Sequence, residues 1–180
     1  MKKWFLYQSR SFLFLLLPIL SYLFFKVINS LELNYSFNYF FGLFFYFQLL
    51  ITVFYFIVFQ VEKIYKFNKN KNLRLFLFQI SSIILILSFI FTLYYWCLFD
   101  YDPSNFSNVK TENGFLVILD FLFYGLGVFL MNNNSTIQAD SFFAKLFVGT
   151  EMFSAFVILV LIFANYADFK NSKKKIEEKY

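Results

Sequence analysis

The chain has 180 residues, of which 60% are hydrophobic and 26% aromatic, and it carries a formal net charge of +5. This apolar content exceeds the roughly 45–50% that is typical of soluble domains, so we expect a membrane protein. The chain has no His and one Cys, which excludes an internal disulfide and removes most ligands of haem, zinc and cysteine clusters.

Four stretches are apolar over the roughly 20 residues that a helix needs to cross a bilayer core of about 30 Å. In chain order they are Ser11–Ile28, Tyr39–Val61, Leu75–Phe99 and Phe142–Tyr166. The first follows a basic N-terminus, as a signal peptide would, but no small-residue cleavage pattern follows it. We therefore expect a retained membrane helix there.

A fifth apolar run, Phe115–Met131, is bounded by Gly114 and by three asparagines and is somewhat short for a span. Two interpretations remain open. The run is either a re-entrant helix that returns to the side it entered from, or a buried or interfacial helix followed by an ordinary polar loop.

The basic residues favour the re-entrant interpretation, because Lys and Arg accumulate on the cytoplasmic side of a membrane. They cluster before the first span, between the second and third, and after the last: Lys2, Lys3 and Arg10; Lys63, Lys66, Lys69, Lys71 and Arg74; Lys170, Lys173, Lys174, Lys175 and Lys179. All three clusters share one side only if Phe115–Met131 does not cross. We therefore predict an all-α integral membrane protein with four transmembrane helices, a re-entrant helix and loop between the third and fourth, and both termini cytoplasmic.

The stretch that points to a specific function runs from Asp120 to Glu151 and reads DFLFYGLGVFLMNNNSTIQADSFFAKLFVGTE. A short apolar helix, a polar loop and a membrane helix follow one another in it. This order resembles the potassium-channel pore module, in which a pore helix leads into a selectivity filter of the pattern T-T-V-G-Y-G-D. Laid on that module without a gap, Asp120 matches an acidic residue that often opens the pore helix, and Ile137 the hydrophobic residue after the filter. Lys145 and Glu151 match a basic and an acidic residue of the inner helix.

The resemblance implies an organisation for the whole chain. Residues 1–74 would be an N-terminal helix pair with a basic loop, and residues 75–167 a channel-like pore module. Within the module, 75–99 is the outer helix, 115–130 the pore helix, 131–137 the filter-like loop and 142–166 the inner helix. After the module, residues 168–180 form a basic cytoplasmic tail. It also implies that four copies surround one axis as a homotetramer.

The filter positions hold Leu130, Met131, Asn132, Asn133, Asn134, Ser135 and Thr136, so Asn133 and Ser135 replace both filter glycines. A potassium filter points its carbonyls inward through left-handed backbone, which costs roughly 1–2 kcal/mol for each residue other than glycine. Potassium selectivity is therefore not expected. Three outcomes remain open for the asparagines: polar rings in a wider pore, a loop sealed by amide–amide hydrogen bonds, or a solvated turn without a role.

Three acidic residues are assigned supporting roles by their positions. Asp120 is expected at the N-terminus of the pore helix, where a carboxylate caps the helix and interacts with its dipole. Glu151 lies inside a span, where ionisable groups usually face the bundle interior, and is expected to support the loop. Asp140 at the outer mouth either concentrates cations there or is a plain loop charge.

The function predicted from these patterns is that of an ion-channel-like protein of the plasma membrane, the inner membrane if the source is bacterial. A cation channel subunit without standard potassium selectivity is the first hypothesis. The alternative is a non-conducting, channel-derived protein that acts as an accessory, sensor or effector subunit. We expect no catalytic activity and no cofactor, with monovalent cations as permeant ions. The expected partners are the lipid bilayer, further copies of the chain and a regulatory partner that the sequence does not identify, and nucleic acid is not among them.

Overall fold

The computed structural model describes residues 16–24, 26–27, 36–67, 73–110, 113–132 and 135–177. Residues 16–24 and 26–27 are helical and form α1. The expected first span, Ser11–Ile28, therefore lies partly outside the described residues. Asn133 and Asn134 of the filter-like loop also lie outside them.

Three long helices make up most of the fold: α2 is Ser36–Phe67, α3 is Leu73–Tyr101 and α5 is Phe142–Glu177. Each contains a segment that is long and apolar enough to cross a membrane, and these segments are Phe40–Glu62, Phe76–Tyr101 and Phe142–Ala164. Their large apolar side chains are exposed along one flank, which is where lipid replaces water around a membrane helix. The expectation of a helical membrane protein is confirmed at this level.

The last helix is longer than the sequence pattern predicts. We expected it to end at Tyr166 and to be followed by a basic tail, but α5 continues to Glu177 without a break. The added segment contains no Gly or Pro and several Lys residues, which have good helix propensity. Most of the predicted tail is therefore a helical extension of the membrane span.

Between α3 and α5 the chain forms a short helix inside a small hairpin. A 3-10 turn, Pro103–Asn105, leads into β1, Phe106–Ser107, and then α4, Gly114–Phe129, precedes β2, Gln138–Ala139. The two strands pair antiparallel, with Phe106 opposite Ala139 and Ser107 opposite Gln138. Because the strands pair, the chain leaves this point through α4 and returns to it through the loop after α4.

Side-chain contacts give the relative directions of the helices. At the start of α2, Phe41 stacks on Tyr101 at the end of α3, with ring centroids 3.9 Å apart. Lys26 of α1 forms an ion pair of 3.2 Å with Asp100, also near the end of α3. The ring of Phe143, at the start of α5, lies against Gly42 of α2. We call this the hairpin end, since β1 and β2 lie there too.

The opposite end holds the last turns of α2, the first turn of α3 and the extension of α5. We call it the basic end, because these segments carry most of the basic residues of the described helices: Lys63, Lys66, Arg74, Lys170, Lys173, Lys174 and Lys175. Glu62, Asp168 and Glu177 are the acidic residues there. The charge asymmetry that the loops show in the sequence is thus an asymmetry between the two ends of the helix bundle.

Aromatic rings fill the core and join α4 to α3. Tyr95 of α3 contacts Phe106 of β1, and Phe121 and Tyr124 of α4, at centroid distances of 5.6, 6.2 and 5.5 Å. Phe106 and Phe121 are in edge contact at 5.0 Å. These four side chains are at most 3% exposed. Such pairs add about 0.5–1.5 kcal/mol each beyond their area burial, so the cluster fixes α4 against α3.

Candidate functional site

The base of the α4 loop is tied to the end of α3 by one buried side chain. The amide nitrogen of Asn105 donates to the carbonyl oxygens of Leu98 at 3.0 Å and Asp102 at 2.8 Å. The carbonyl of Asn105 in turn accepts from the backbone N–H groups of Asp140 at 3.0 Å and Ser141 at 3.4 Å. Asn105 is 7% exposed, and this clamp holds the two sides of the hairpin together. Sequence reasoning missed it, because a single Asn after a Pro turn carries no distinctive pattern.

The N-terminus of α4 differs from the prediction. Its cap is Asn113, whose side-chain oxygen accepts from the N–H of Phe115 at 3.2 Å. Asp120 lies six residues after Gly114, in the second turn, so the predicted capping role of Asp120 is wrong. An Asn cap satisfies a free N–H group as well as an Asp does, and the helix begins earlier than the alignment on the pore module implied.

The C-terminus of α4 ends in a Schellman motif built without glycine. The N–H of Asn132 donates to the carbonyl of Gly127 at 2.9 Å, and that of Met131 to the carbonyl of Val128 at 3.0 Å. Met131 occupies the left-handed position of the motif, with φ of 54°. That position is usually glycine, because other residues meet a steric cost there. Of the two aligned glycine positions, Ser135 has no positive φ and Asn133 lies outside the described residues, so the left-handed residue of this segment is Met131.

The first residues of the predicted filter therefore belong to the helix end. Leu130 is the C-cap of α4, and Leu130 and Met131 are 66% and 55% exposed. Further along, the hydroxyl of Ser135 accepts from the N–H of Ile137 at 3.1 Å, which turns the chain toward β2. Ile137 is 5% exposed and anchors this side of the loop in the core.

A cavity of about 440 Å³ lies between the exposed face of α4 and the returning loop. Four of the predicted site residues line it: Asp120, Asn132, Ser135 and Thr136. The other lining residues are Asn108, Lys110, Phe123, Gly127 and Ile137. Amides, hydroxyls, one carboxylate and one ammonium therefore face the same space. This lining can hold water and polar solutes, whereas a lipid chain would leave its polar groups without partners.

Glu151 lies on the other side of α4, between three helices. Its carboxylate accepts a hydrogen bond of 2.5 Å from the hydroxyl of Tyr95, and its side chain is 0% exposed. A Cβ atom added to Gly125 of α4 would lie 3.3 Å from the Oε1 atom of Glu151 and 3.8 Å from the hydroxyl of Thr92. The absence of a side chain at Gly125 thus lets α4 approach the carboxylate closely.

The environment of Glu151 combines features that the sequence indicated and features that it did not. The inward orientation agrees with the expectation for an ionisable residue in a span. Its Oε1 atom has no hydrogen-bond partner among the described residues. Tyr95 and Gly125 were not predicted as partners, although a Tyr and a Gly in apolar helices are residues that often mark polar or close contacts.

The remaining predicted residues are at the hairpin end. Asp140 follows β2 and is exposed, while its backbone N–H bonds to Asn105. Lys145 is exposed near the start of α5. Within the part of the chain that the structure describes, no three residues of the types His, Cys, Asp and Glu are grouped to hold a metal ion.

Comparisons with known proteins returned no matching family model, no matching curated protein and no matching solved structure. The resemblance of the segment from Asp120 to Glu151 to the potassium-channel pore module stays a prediction from the sequence.

Proposed function

We propose that this chain is the subunit of a cation channel without standard potassium selectivity, in which the loop after α4 lines a pore. The observation that carries the proposal is the pairing of β1 with β2. It closes the segment 106–139 into a loop that starts and ends at the hairpin end, with α4 directed into the helix bundle. A helix that enters the bundle and a chain that turns back are the elements of a re-entrant pore loop.

The dimensions support this proposal. With 16 residues, α4 is about 24 Å long, which is less than a bilayer core of about 30 Å. Asn132 is the last residue whose N–H bonds back to α4, and β2 begins at Gln138, so the chain is back at the hairpin within a few residues of the helix end. A helix that is shorter than the bilayer core and is followed by a return to the hairpin requires no second crossing of the membrane.

The surface of α4 supports enclosure by further copies. One face packs on α3 and α5, while Phe123 on the opposite face is 70% exposed beside the polar cavity. Non-helical backbone at membrane depth is tolerated only where protein or water surrounds it. A polar cavity and an open loop on the same face therefore favour an assembly in which copies of the chain surround them, and a homotetramer follows from the resemblance to the pore module.

The helix end supports poor potassium selectivity. The N–H groups of Leu130, Met131 and Asn132 are bonded back to α4, so this stretch continues the helix rather than extending as a filter strand. Stacked rings of inward carbonyls need an extended filter backbone in every subunit. Amide and hydroxyl side chains that line a wider path would instead pass hydrated cations with little discrimination.

One observation favours a second candidate function, a non-conducting protein derived from a channel. Leu130 and Met131 are exposed apolar residues at the turn where α4 ends, the deepest point of the loop. Around a four-fold axis these side chains would form an apolar constriction, and such constrictions close pores by excluding water. A permanently dry constriction would leave a scaffold that acts through contacts with other proteins.

The test is reconstitution of the purified full-length protein in planar bilayers, with the mass of the assembly measured in parallel. We expect a tetrameric mass and a bi-ionic reversal potential near zero between potassium and sodium. Asn132→Asp should increase cation conductance by adding a ring of carboxylates, while Gln138→Glu on the hairpin is the matched control and should change it less.

A strongly potassium-selective reversal potential would contradict the selectivity proposal, and a monomeric mass would contradict the pore. No current from the unmodified tetramer would favour the non-conducting function. In that case Met131→Ser together with Leu130→Ser should produce current if the apolar turn is what closes the path.

A further inference from the structure

An apolar groove lies on the outer flank of the bundle, between α2 and α5 and away from the α4 loop. It has a volume of about 590 Å³. Leu50, Val53 and Ile57 of α2 and Phe153, Ser154 and Val157 of α5 are among the residues that line it. Both helices contain apolar segments long enough to span a membrane, so the groove lies at the level of the hydrocarbon core.

The groove offers almost nothing to a polar ligand. Two of its three hydroxyl-bearing residues, Thr150 and Ser154, donate to backbone carbonyls of their own helix, at 2.9 Å to Leu146 and 2.7 Å to Thr150. The other lining residues are hydrocarbon or aromatic, with Tyr55 on the wall. A polar ligand would lose its hydration without gaining partners, whereas a hydrocarbon chain loses nothing.

The groove lies nearer to the basic end of the bundle than to the hairpin end. Val58, its lining residue nearest the basic end on α2, lies four residues, about 6 Å, before Glu62, where the apolar span ends. On α5 the corresponding residue is Val157, seven residues, about 10 Å, before Ala164. The α2 side of the groove therefore lies in the half of the roughly 30 Å core next to the basic end, while the α5 side lies around the middle of its span.

The same two helices carry positive charge directly beyond the groove. Lys63 and Lys66 follow the apolar span of α2, and Lys170 and Lys173 lie on the helical extension of α5. Glu62, Asp168 and Glu177 are the acidic residues of these two segments, against six lysines, so positive charge prevails. Basic residues next to a membrane span generally attract anionic lipid, at about 1 kcal/mol for each residue near the surface.

We propose that α2 and α5 bind an anionic phospholipid, with one acyl chain in the groove and the phosphate headgroup among the lysines of the basic end. An acyl chain and a phosphate are joined in the same molecule, as the groove and the basic segments are joined in the same two helices. The site is independent of the pore: it uses neither the α4 loop nor its cavity.

The experiment is native mass spectrometry of the purified full-length protein in detergent, titrated with phosphatidylglycerol or with phosphatidylcholine of identical acyl chains. We expect tighter binding of phosphatidylglycerol. Lys63→Gln and Lys66→Gln should each weaken it roughly fivefold, the fold-change that corresponds to about 1 kcal/mol per lysine. Lys110→Gln, at the hairpin end, is the matched charge control and should leave the affinity unchanged.

A second pair of variants tests the groove itself. Val157→Trp places a large ring in the groove and should reduce binding of both lipids, whereas Val160→Trp, at a 50% exposed position outside the lining, should not. Equal affinity for the two lipids, or identical behaviour of the two Trp variants, would overturn the proposal. A change in oligomeric mass on Val157→Trp, without a change in lipid binding, would show that a second copy of the chain covers the groove and would also overturn it.

Discussion

Met131 ends α4 in a conformation that ordinarily belongs to glycine. Its φ of 54° places it in the left-handed region, and its N–H closes one of the two hydrogen bonds of the Schellman motif. The side chain is 55% exposed in the single chain, so few contacts compensate for the steric cost. Backbone strain of this kind persists where the surrounding structure holds a local geometry, and here it lies at the turn of the proposed pore loop.

We predict that Met131→Gly stabilises the protein by about 1 kcal/mol, since relief of roughly 1–2 kcal/mol is partly offset by the freedom of glycine in the unfolded chain. The measurement is the midpoint of denaturant unfolding in detergent. Leu130→Gly is the matched control. Leu130 has a φ of −83° and a similarly exposed side chain, and glycine there should not stabilise. Equal effects of the two variants would show that Met131 is not strained.

Glu151 depends on one phenol for its only described hydrogen bond. We predict that Tyr95→Phe destabilises the protein by about 1–3 kcal/mol, because both carboxyl oxygens would then be buried without a partner. Tyr94→Phe is the control: Tyr94 is equally buried, but its bond to Thr52 is longer, at 3.3 Å. Loss of the bond to Thr52 should destabilise the protein less than loss of the bond to Glu151.

The double variant Tyr95→Phe with Glu151→Met separates the hydrogen bond from packing. Replacing both partners with apolar groups of similar shape is often nearly neutral, so we expect most of the lost stability to return. A double variant as unstable as Tyr95→Phe alone would mean that the phenol acts through packing on Phe106 and Phe121. Unfolding in detergent is again the measurement.

At the scale of elements, the hairpin and the aromatic cluster hold α4 in two different ways. The rings of Tyr95, Phe106, Phe121 and Tyr124 fix its side against α3, while β1 and β2 fix the two ends of its loop. Each strand has two residues, and a pairing this short is not stable alone. Asn105 compensates by bonding to both sides of the hairpin.

We predict that Asn105→Ala loosens the hairpin while leaving the helix bundle folded. The variant loses the bonds to Leu98 and Asp102, at a cost of about 1–3 kcal/mol confined to this region. Hydrogen exchange measured by mass spectrometry should speed up at Gln138–Ser141 and remain slow in the middle of α3. Ser104→Ala, at an exposed neighbouring position, should change neither. Faster exchange throughout α3 would contradict a local role.

At the scale of the whole molecule, the charged residues are separated along the direction of the helices. The basic residues of the described helices lie mainly at one end of the bundle, while Asp100, Asp102 and Asp140 lie at the hairpin end. The positive-inside tendency therefore predicts an orientation of the bundle with the basic end in the cytoplasm. In that orientation the α4 cavity would face the outside.

We predict that a membrane-impermeant thiol reagent added from outside labels Ser104→Cys and spares Lys69→Cys, each made in a Cys97→Ala background. Cys97 is 0% exposed, so its removal clears the background without altering the surface. The readout is labelling of intact cells before and after permeabilisation. The reverse pattern would invert the topology and would place the proposed phospholipid site in the outer leaflet.

The sequence anticipated the fold better than the site. Apolar length located α2, α3 and α5, because it is a sum over many residues, whereas the non-crossing of α4 stays a prediction from the basic clusters. The cap of α4 was assigned to Asp120 and is Asn113, because one residue's role depends on where the helix starts. The extension of α5 to Glu177 was missed, since charge was read as a sign of a tail although Lys is also a good helix former.

Sequence alone determined that this is a helical membrane protein, that its charge separates toward one end, and that Glu151 is an unusual residue inside a span. These follow from the cost of placing polar groups in hydrocarbon, which acts on composition and needs no knowledge of neighbours. Only the tertiary structure decided that Tyr95 and Gly125 lie against Glu151 and that Asn105 bonds to both sides of the hairpin. It also decided that Met131 adopts the left-handed conformation at the end of α4. Each of these depends on distances between residues far apart in the chain or on one backbone angle, and no periodicity or composition encodes them.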